Sequence, residues 1–241
     1  CFMPRFFTEQ VDDEKAIITG EDAKHIIKAL RMTVGEKVVV CDGKQTDYQC
    51  EIESITDEVR LRVLSSGASE SEPNLRLHLY QAMPKGEKFE FIVQKAVELG
   101  VYDITPVLTS RCISRPDKDT MRKKLVRYNK IAAEAAKQSG RGRIPVVRPL
   151  LSYQEALKEM AAFQNAIFFY ECKGQPLQKI IQQGLTETAI LIGSEGGFSE
   201  EEAAAAETAG LFTASLGKRI LRCETAPIAG ISIIMNLSGN M

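Results

Sequence analysis

Ala189-Ile190-Leu191-Ile192-Gly193-Ser194-Glu195-Gly196-Gly197-Phe198-Ser199 is a short apolar run, a tight polar turn and the opening of a helix. It has an echo at Ser215-Leu216-Gly217-Lys218-Arg219-Ile220-Leu221-Arg222-Cys223-Glu224-Thr225-Ala226. Three glycines within residues 193–197 let the first turn bend sharply and let a ligand come close to its backbone. The second turn carries one glycine, then apolar and charged residues in alternation. Two such turns in the last quarter of the chain predict a pocket built from strand ends.

Outward from those turns, the chain from Leu75 onward alternates strands with helices. Residues 75–82 read as a strand. Residues 85–100 read as a helix, with Phe89, Ile92, Val93, Ala96 and Leu99 on one face and Gly100 at its end. Residues 104–108 are a strand, 119–139 a long helix, and a strand follows near Val146. Residues 153–162 are a helix and 166–170 a strand, and further helices begin at Leu177 and near Ala226. This order predicts an α/β domain with a parallel sheet covered on both faces. Ligands of such sheets bind beyond the carboxyl ends of the strands, where both turns lie.

Residues 1–72 have a different grammar. Val38-Val39-Val40 and residues 48–52 are strand-like, Val59-Arg60-Leu61-Arg62-Val63 alternates strictly, and Asp42-Gly43 marks a turn. A helix over 21–30 puts Ile26, Ile27 and Leu30 on one face and Lys24, Lys28 and Arg31 on another. The whole predicts a small β-barrel-like domain. The boundary falls in the polar stretch 65–74 (SSGASESEPN), so the domains are 1–72 and 73–241. Met3 reads as the natural start, with Cys1-Phe2 an addition before it.

Bulk properties narrow the class. The 241 residues are 44% hydrophobic with net charge −1, enough for one large or two modest cores. No apolar run reaches membrane-spanning length and none has a signal-peptide layout, so a cytoplasmic protein with no membrane association is expected. The six cysteines are scattered without a C-x-x-C pair, and the two histidines, His25 and His78, lie far apart, so no metal site is expected. Charge is uneven. Residues 111–148 carry twelve basic and three acidic side chains, a net +9, whereas residues 1–72 net −6. The basic stretch suits phosphates, and Arg111, Arg115, Arg141 and Arg143 are its candidate RNA contacts, the last two beyond the long helix on a loop read as flexible. In the acidic first domain any RNA contact needs a local patch, for which Arg5, Lys24, Lys28 and Arg31 are the candidates.

The two turns exclude some ligands. Residues 193–197 lack the Lys-Ser/Thr of a P-loop and the spacing of a dinucleotide fingerprint. Glu195 lies within the turn, and Glu200-Glu201-Glu202 open the next helix behind a Ser199 cap. Acidic groups there offset the positive helix end and repel phosphate. A neutral or cationic ligand fits better, and S-adenosylmethionine, with its sulfonium, its adenine and no phosphate, is one. The second turn sets Arg222 and Glu224 at the mouth of a helix, a charged pair that needs satisfying.

Ile192-Gly193-Ser194-Glu195-Gly196-Gly197-Phe198-Ser199-x-x-Glu202, followed by Leu216-Gly217-x-Arg219-Ile220-Leu221-Arg222-x-Glu224-Thr225-Ala226, resembles the RsmE family of SPOUT-class methyltransferases. Pro4-Arg5-Phe6-Phe7, His25 through Leu30-Arg31 with Gly35, Lys95 through Val101, and Ala133 through Arg141 with Pro145 extend the resemblance along nearly the whole chain. The resemblance implies a PUA-like β-barrel followed by a SPOUT α/β domain with a C-terminal trefoil knot, and a homodimer. It implies methylation of N3 of a uridine in 16S ribosomal RNA, with that RNA or the small ribosomal subunit as partner. It also implies that S-adenosylmethionine lies among Tyr170, Glu171, Ile192, Gly193, Glu195, Gly196, Gly197, Ser215, Leu216, Gly217, Ile220, Leu221 and Thr225. Ser194 stands where the family usually has proline, and Cys223 where threonine is usual.

Uridine N3 loses a proton in that reaction, so the uracil anion needs stabilising. Arg222, permanently charged with a fork of donors, is the candidate catalytic residue; pairing with Glu224 is its alternative role. Glu195 is a candidate proton acceptor as well as a cofactor ligand. N3 lies on the pairing edge, so the target base is unpaired or flipped out. Two other functions compete. One is a SPOUT methyltransferase acting on another RNA, such as a tRNA ribose. The other is a non-catalytic RNA-binding assembly factor that keeps the pocket.

Overall fold

The computed structural model describes residues 3–241. Cys1 and Phe2, read above as an addition, lie outside the described residues. The chain divides into two compact units, Cys1–Glu72 with Ala136–Ile144, and Pro73–Ala135 with Pro145–Met241.

The first unit holds β1 (Arg5–Phe7), β2 (Lys15–Ile18), α1 (Gly20–Lys24), β3 (Lys37–Cys41), β4 (Thr46–Ile55) and β5 (Val59–Ala68). Its sheet runs β1-β3-β4-β5-β2. The expected barrel is an open sheet with β1 and β2 as its edges. The chain following β1 bridges the gap: Thr8 Oγ1 donates to the Ile17 carbonyl at 2.9 Å, and Ile17 N donates to the Gln10 carbonyl at 2.9 Å. Alternation in β5 buries Val59 and Leu61 on a core with Val38, Val40, Cys50 and Ile52.

Three expectations change here. Residues 65–68, read as linker, continue β5 and pair with 46–49 of β4. These strand residues are exposed, so they carry no apolar alternation to read. The helix over 21–30 is α1 followed by a π-helical turn, His25–Leu30, closed by Arg31 at φ 53°. The wider winding rotates the apolar face, so Ile26 is buried while Leu30 is 41% exposed. His25 packs edge-on against Phe6. Third, residues 136–144 group with the first unit rather than with the second domain. Gln45 N donates to the Gly142 carbonyl at 3.0 Å, and Arg141 binds Glu72 through two 2.8 Å hydrogen bonds.

The second unit adds β6 (Arg76–Ala82), α2 (Lys88–Glu98), β7 (Asp103–Leu108), α3 (Lys118–Gln138, whose last residues group with the first unit), β8 (Val146–Val147), β9 (Leu151–Ser152), α4 (Tyr153–Met160), β10 (Ala166–Phe169), β11 (Glu187–Ile192), α5 (Glu200–Thr208), β12 (Phe212–Ala214) and α6 (Thr225–Leu237). The helix expected from Leu177 is a single 3₁₀ turn, Leu177–Lys179, and Gly184 at φ +80° lies a few residues on. The sheet runs β12-β10-β11-β6-β7-β8, with β9 also on β7, and every pair is parallel. The central strands β6 and β11 are buried almost throughout, as a sheet covered on both faces requires. Tyr80, Phe168, Leu191, Phe198 and Ala206 are among the residues that fill the core. This strand order brings the loops after β12, β10, β11 and β6 side by side at one edge.

Candidate functional site

Those neighbouring loops form an open cleft. One wall is the turn after β11, the other the turn after β12, and the floor is the end of β10 at Phe169-Tyr170-Glu171. Of the residues expected to hold a cofactor, Tyr170, Glu171, Ile192, Gly193, Glu195, Gly197, Ser215, Leu216, Gly217, Ile220 and Leu221 line it. Gly196 and Thr225 do not. Gly196 backs onto Arg111, whose Cβ would stand 2.9 Å from a Cβ placed there, and its carbonyl accepts from Arg111 Nη1 at 3.1 Å. Thr225 starts α6, with its N–H on the Arg222 carbonyl at 2.9 Å.

The first wall is held from several directions. Gln81, fully buried near the end of β6, donates from Nε2 to the carbonyls of Ile192 at 3.4 Å and Gly193 at 3.1 Å. Gly197 N closes the turn on the Ser194 carbonyl at 3.0 Å. Gly197 itself has φ +61°, and a Cβ there would sit 2.6 Å from Glu171 Oε1, so only glycine lets the Glu171 carboxylate lie against the turn. Ser199 and Glu202 form a capping box, and Glu202 also accepts from Ser110 N at 2.7 Å. The helix end beneath the turn is thus already met by a protein carboxylate, in keeping with a site for a ligand without phosphate.

Lys88, at the first position of α2, is a cation that meets both walls, although it does not itself line the cleft as Lys218 and Arg219 do. Its Nζ lies 2.9 Å from Glu195 Oε1, 3.3 Å from Glu224 Oε2 and 3.7 Å from Cys223 Sγ. The Lys85 N–H also donates to Glu195, at 3.2 Å. Burial pushes the Glu195 carboxyl up, but the Lys88 ammonium and backbone N–H groups outweigh it and hold the carboxyl below its ordinary range. Glu195 is therefore an ionised carboxylate held by Lys88 and the Lys85 N–H. Burial, with the hydrogen bond to Glu224, pushes the Cys223 thiol up to about 12, so it is no thiolate at neutral pH.

Arg222 is exposed at the rim, outside the cleft lining. It does not pair with Glu224, whose carboxylate is taken by Lys88 and the Cys223 thiol. On the second wall, no hydrogen bond among the described residues uses the backbone N–H groups of residues 218–223. Ser194 lines the opposite side, only 7% exposed, and its hydroxyl has no partner among the described residues. A ligand with acceptor atoms on both sides, a flat ring and a cationic centre near Glu171 fits these walls, and S-adenosylmethionine is such a ligand.

The expected RNA contacts fare unevenly. Arg141 is 3% exposed and committed to Glu72, so it does not face a phosphate. Arg5 is paired with Asp47 and Ser69. Arg115 donates to the carbonyls of Thr109, Ser110 and Cys112 and braces that loop. Lys24 is tied to Glu21, both exposed, a pair worth little. Arg111, Lys28 and Arg31 are exposed and Arg143 partly so. The +9 stretch is less open than its count, because Arg127 pairs with Glu90, Lys137 with Asp22 and Arg148 with Glu159.

Two residues of the site escaped the sequence reading, and each left a signal. Lys88 puts a cation at the positive end of a helix, where it is disfavoured without a partner. Gln81 is, with His78, a polar residue buried inside the otherwise largely apolar β6, and a buried polar group marks a constraint. No His, Cys, Asp or Glu cluster fit for a metal occurs among the described residues, and no helix there is long and apolar enough to cross a membrane.

A family model described as an RNA methyltransferase domain matches residues 71–235, and one described as an RNA methyltransferase PUA domain matches residues 18–64. The chain is 32% identical to ribosomal RNA small subunit methyltransferase E of Bacillus subtilis, over 96% of each chain. It superposes on the crystal structure of that enzyme from Neisseria gonorrhoeae bound to S-adenosyl methionine with a TM-score of 0.88, at 31% identity over 98% of each chain. A Legionella pneumophila protein solved with bound SAM superposes with a TM-score of 0.87, at 31% identity over 99% of each chain.

Proposed function

The chain belongs to the RNA methyltransferase family that includes ribosomal RNA small subunit methyltransferase E, and we propose that it transfers a methyl group from S-adenosylmethionine to N3 of a uridine in 16S ribosomal RNA. The observation that carries this reading is the cleft itself. The two motif turns, separated in sequence by α5 and β12, meet as its facing walls beyond the ends of β11 and β12.

S-adenosylmethionine supplies an electrophilic methyl group on a sulfonium sulfur. The chain's own residues bind, orient and stabilise. The Ser194 hydroxyl and the N–H groups of 218–223 offer donors on opposite walls. The Glu171 carboxylate lies against Gly197 as the negative partner of a cation. Arg222, free of Glu224, stands at the rim where a uracil carbonyl would present the charge that develops as N3 loses its proton. The target uridine enters unpaired, because N3 is on its pairing edge. Lys28 and Arg31 in the first unit, and Arg111, Lys118 and Lys123 in the second, are exposed cations for flanking phosphates.

A trefoil knot of the C-terminal segment belongs to the same reading. Its support is the path: the chain leaves edge strand β12, runs along the cleft, and enters α6, which packs on β6, α2 and the 3₁₀ turn of the β10–β11 connection. A homodimer is part of it too. α6 is apolar over most of its circumference, and Ile233 on its outer side is 36% exposed. The protein would then act in the cytoplasm, where ribosomal RNA is.

The test is incubation of the protein with labelled S-adenosylmethionine and either naked 16S RNA or small subunits, followed by mapping of the modified base. Label at N3 of one uridine is expected. Label on a tRNA ribose would move the chain to another RNA target, and cofactor binding without transfer to any RNA would leave an assembly factor.

A further inference from the structure

The ammonium of Lys88 touches three groups on two separate loops. Glu195 belongs to the first wall of the cleft, and Cys223 and Glu224 to the second. An ammonium has three donors, and here each has an acceptor within 3.7 Å. The side chains are sheltered but not sealed, with 37% of Lys88, 31% of Glu195 and 20% of Glu224 exposed. Without the lysine, two carboxylates on opposite walls would face one another with nothing between them, and like charges that close push the walls apart. The strand order is what allows the arrangement. β6 lies beside β11, so the start of α2 rises next to the turn that follows β11.

We infer that Lys88 is a positioning residue of the cofactor cleft, clasping its two walls through Glu195 and Glu224 and so setting the width at which S-adenosylmethionine binds. This rests on the cofactor reading given above. Lys88 does not line the cleft and acts through the two loops. The charged and titratable groups around it are Glu195 from the first wall and Cys223 and Glu224 from the second, with the Lys85 N–H as a further donor to Glu195.

The clasp has a defined pH window. The Glu195 carboxyl is held below its ordinary 4.5, burial opposing and the Lys88 ammonium with backbone donors prevailing. The Glu224 carboxyl is also below 4.5, through the Cys223 thiol first, with burial opposing, and then its backbone N–H and Lys88. The Lys88 ammonium is raised above its ordinary 10.5, chiefly by Glu195. Groups lowered this way keep their contribution until pH falls through the depressed values, and one raised this way keeps it until pH rises through the elevated value. The clasp is therefore intact across the neutral range.

Calorimetric titration of S-adenosylmethionine into the wild type, Lys88→Met and Lys88→Arg, between about pH 5 and about pH 8, tests this. The wild type is expected to bind with constant affinity. Lys88→Met is expected to bind about 10-fold more weakly at neutral pH, as for loss of a charged hydrogen bond. It should regain affinity as pH falls, because one of the two facing carboxylates then takes a proton. Lys88→Arg should restore most of the affinity. Thermal melts of the unliganded variants report folding, and Glu224→Gln, which frees one wall while keeping its shape, serves if Lys88→Met does not fold; it should weaken binding with no recovery in acid. Equal affinity of Lys88→Met and wild type at every pH overturns the clasp. So does a loss that is flat with pH and not restored by arginine, or, where Glu224→Gln stands in, wild-type affinity in that variant. A wild type that binds no S-adenosylmethionine overturns the cofactor reading itself and the clasp with it.

Discussion

The two walls of the cleft are made on opposite terms. The wall after β11 is held by Gln81 from below, by Lys85 and Lys88 from the start of α2, by Arg111 behind, and by the capping box of α5. The wall after β12 is tied mainly at its ends, through Ser215 N to the Gln175 carbonyl and through the Arg222 carbonyl to the start of α6. Between those ties the N–H groups of 218–221 have no acceptor among the described residues, and Ile220 is 88% exposed. The held wall brings a preformed shape, which lowers the cost of ordering a ligand. The open wall brings unspent donors and an exposed cation, Arg222, to which the proposed function assigns recognition of the ligand's atoms and the chemistry.

The largest effect should come from the open wall. Arg222→Ala is expected to slow single-turnover methyl transfer by about 10²–10³-fold, the scale for removing one charge-stabilising donor, while calorimetry finds cofactor affinity little changed. If affinity falls in step with turnover, Arg222 is a binding residue and the division of labour fails. Next is a matched pair of glycines. Gly197→Ala meets both a positive φ and Glu171 Oε1 at 2.6 Å, whereas Gly217→Ala, at φ +104°, meets no atom within 4 Å. Both carry backbone strain of roughly 1–2 kcal/mol. The held wall adds a collision, so urea unfolding and cofactor titration should both show the larger loss in Gly197→Ala; equal losses would remove the distinction between the walls. The smallest effect is at Ser194. Ser194→Ala should weaken S-adenosylmethionine binding about 5-fold, the value of one hydrogen bond, and leave the unliganded melting temperature unchanged or higher. Unchanged affinity would mean that the ligand does not meet this hydroxyl.

Much of this was legible in advance. The order of strands and helices after Leu75, the cap at Ser199 and most of the cleft lining are local properties, written in apolar periodicity, glycine spacing and a capping pattern. The misreadings share a cause. Residues 65–68 form a strand because β4 offers them a partner, not because of their own composition. Arg141 is buried because Glu72, 69 residues away in sequence, lies beside it in space. The basic count of residues 111–148 overstated the open charge for the same reason, since Asp22, Glu72, Glu90 and Glu159 all lie outside that stretch.

By itself, then, the sequence determined most of the strands and helices of the second domain, that its sheet is parallel, and that two glycine-bearing turns stand at its carboxyl edge. Backbone preference and side-chain periodicity act over a few residues, and a single chain displays them directly. Only the tertiary structure decided which charges meet. It gave Glu195 and Glu224 to Lys88, left Arg222 without Glu224, and withdrew Arg141 from the surface. An ion pair depends on separations of a few ångström between residues that are distant in the chain, and strand order, not spacing in the sequence, sets those separations.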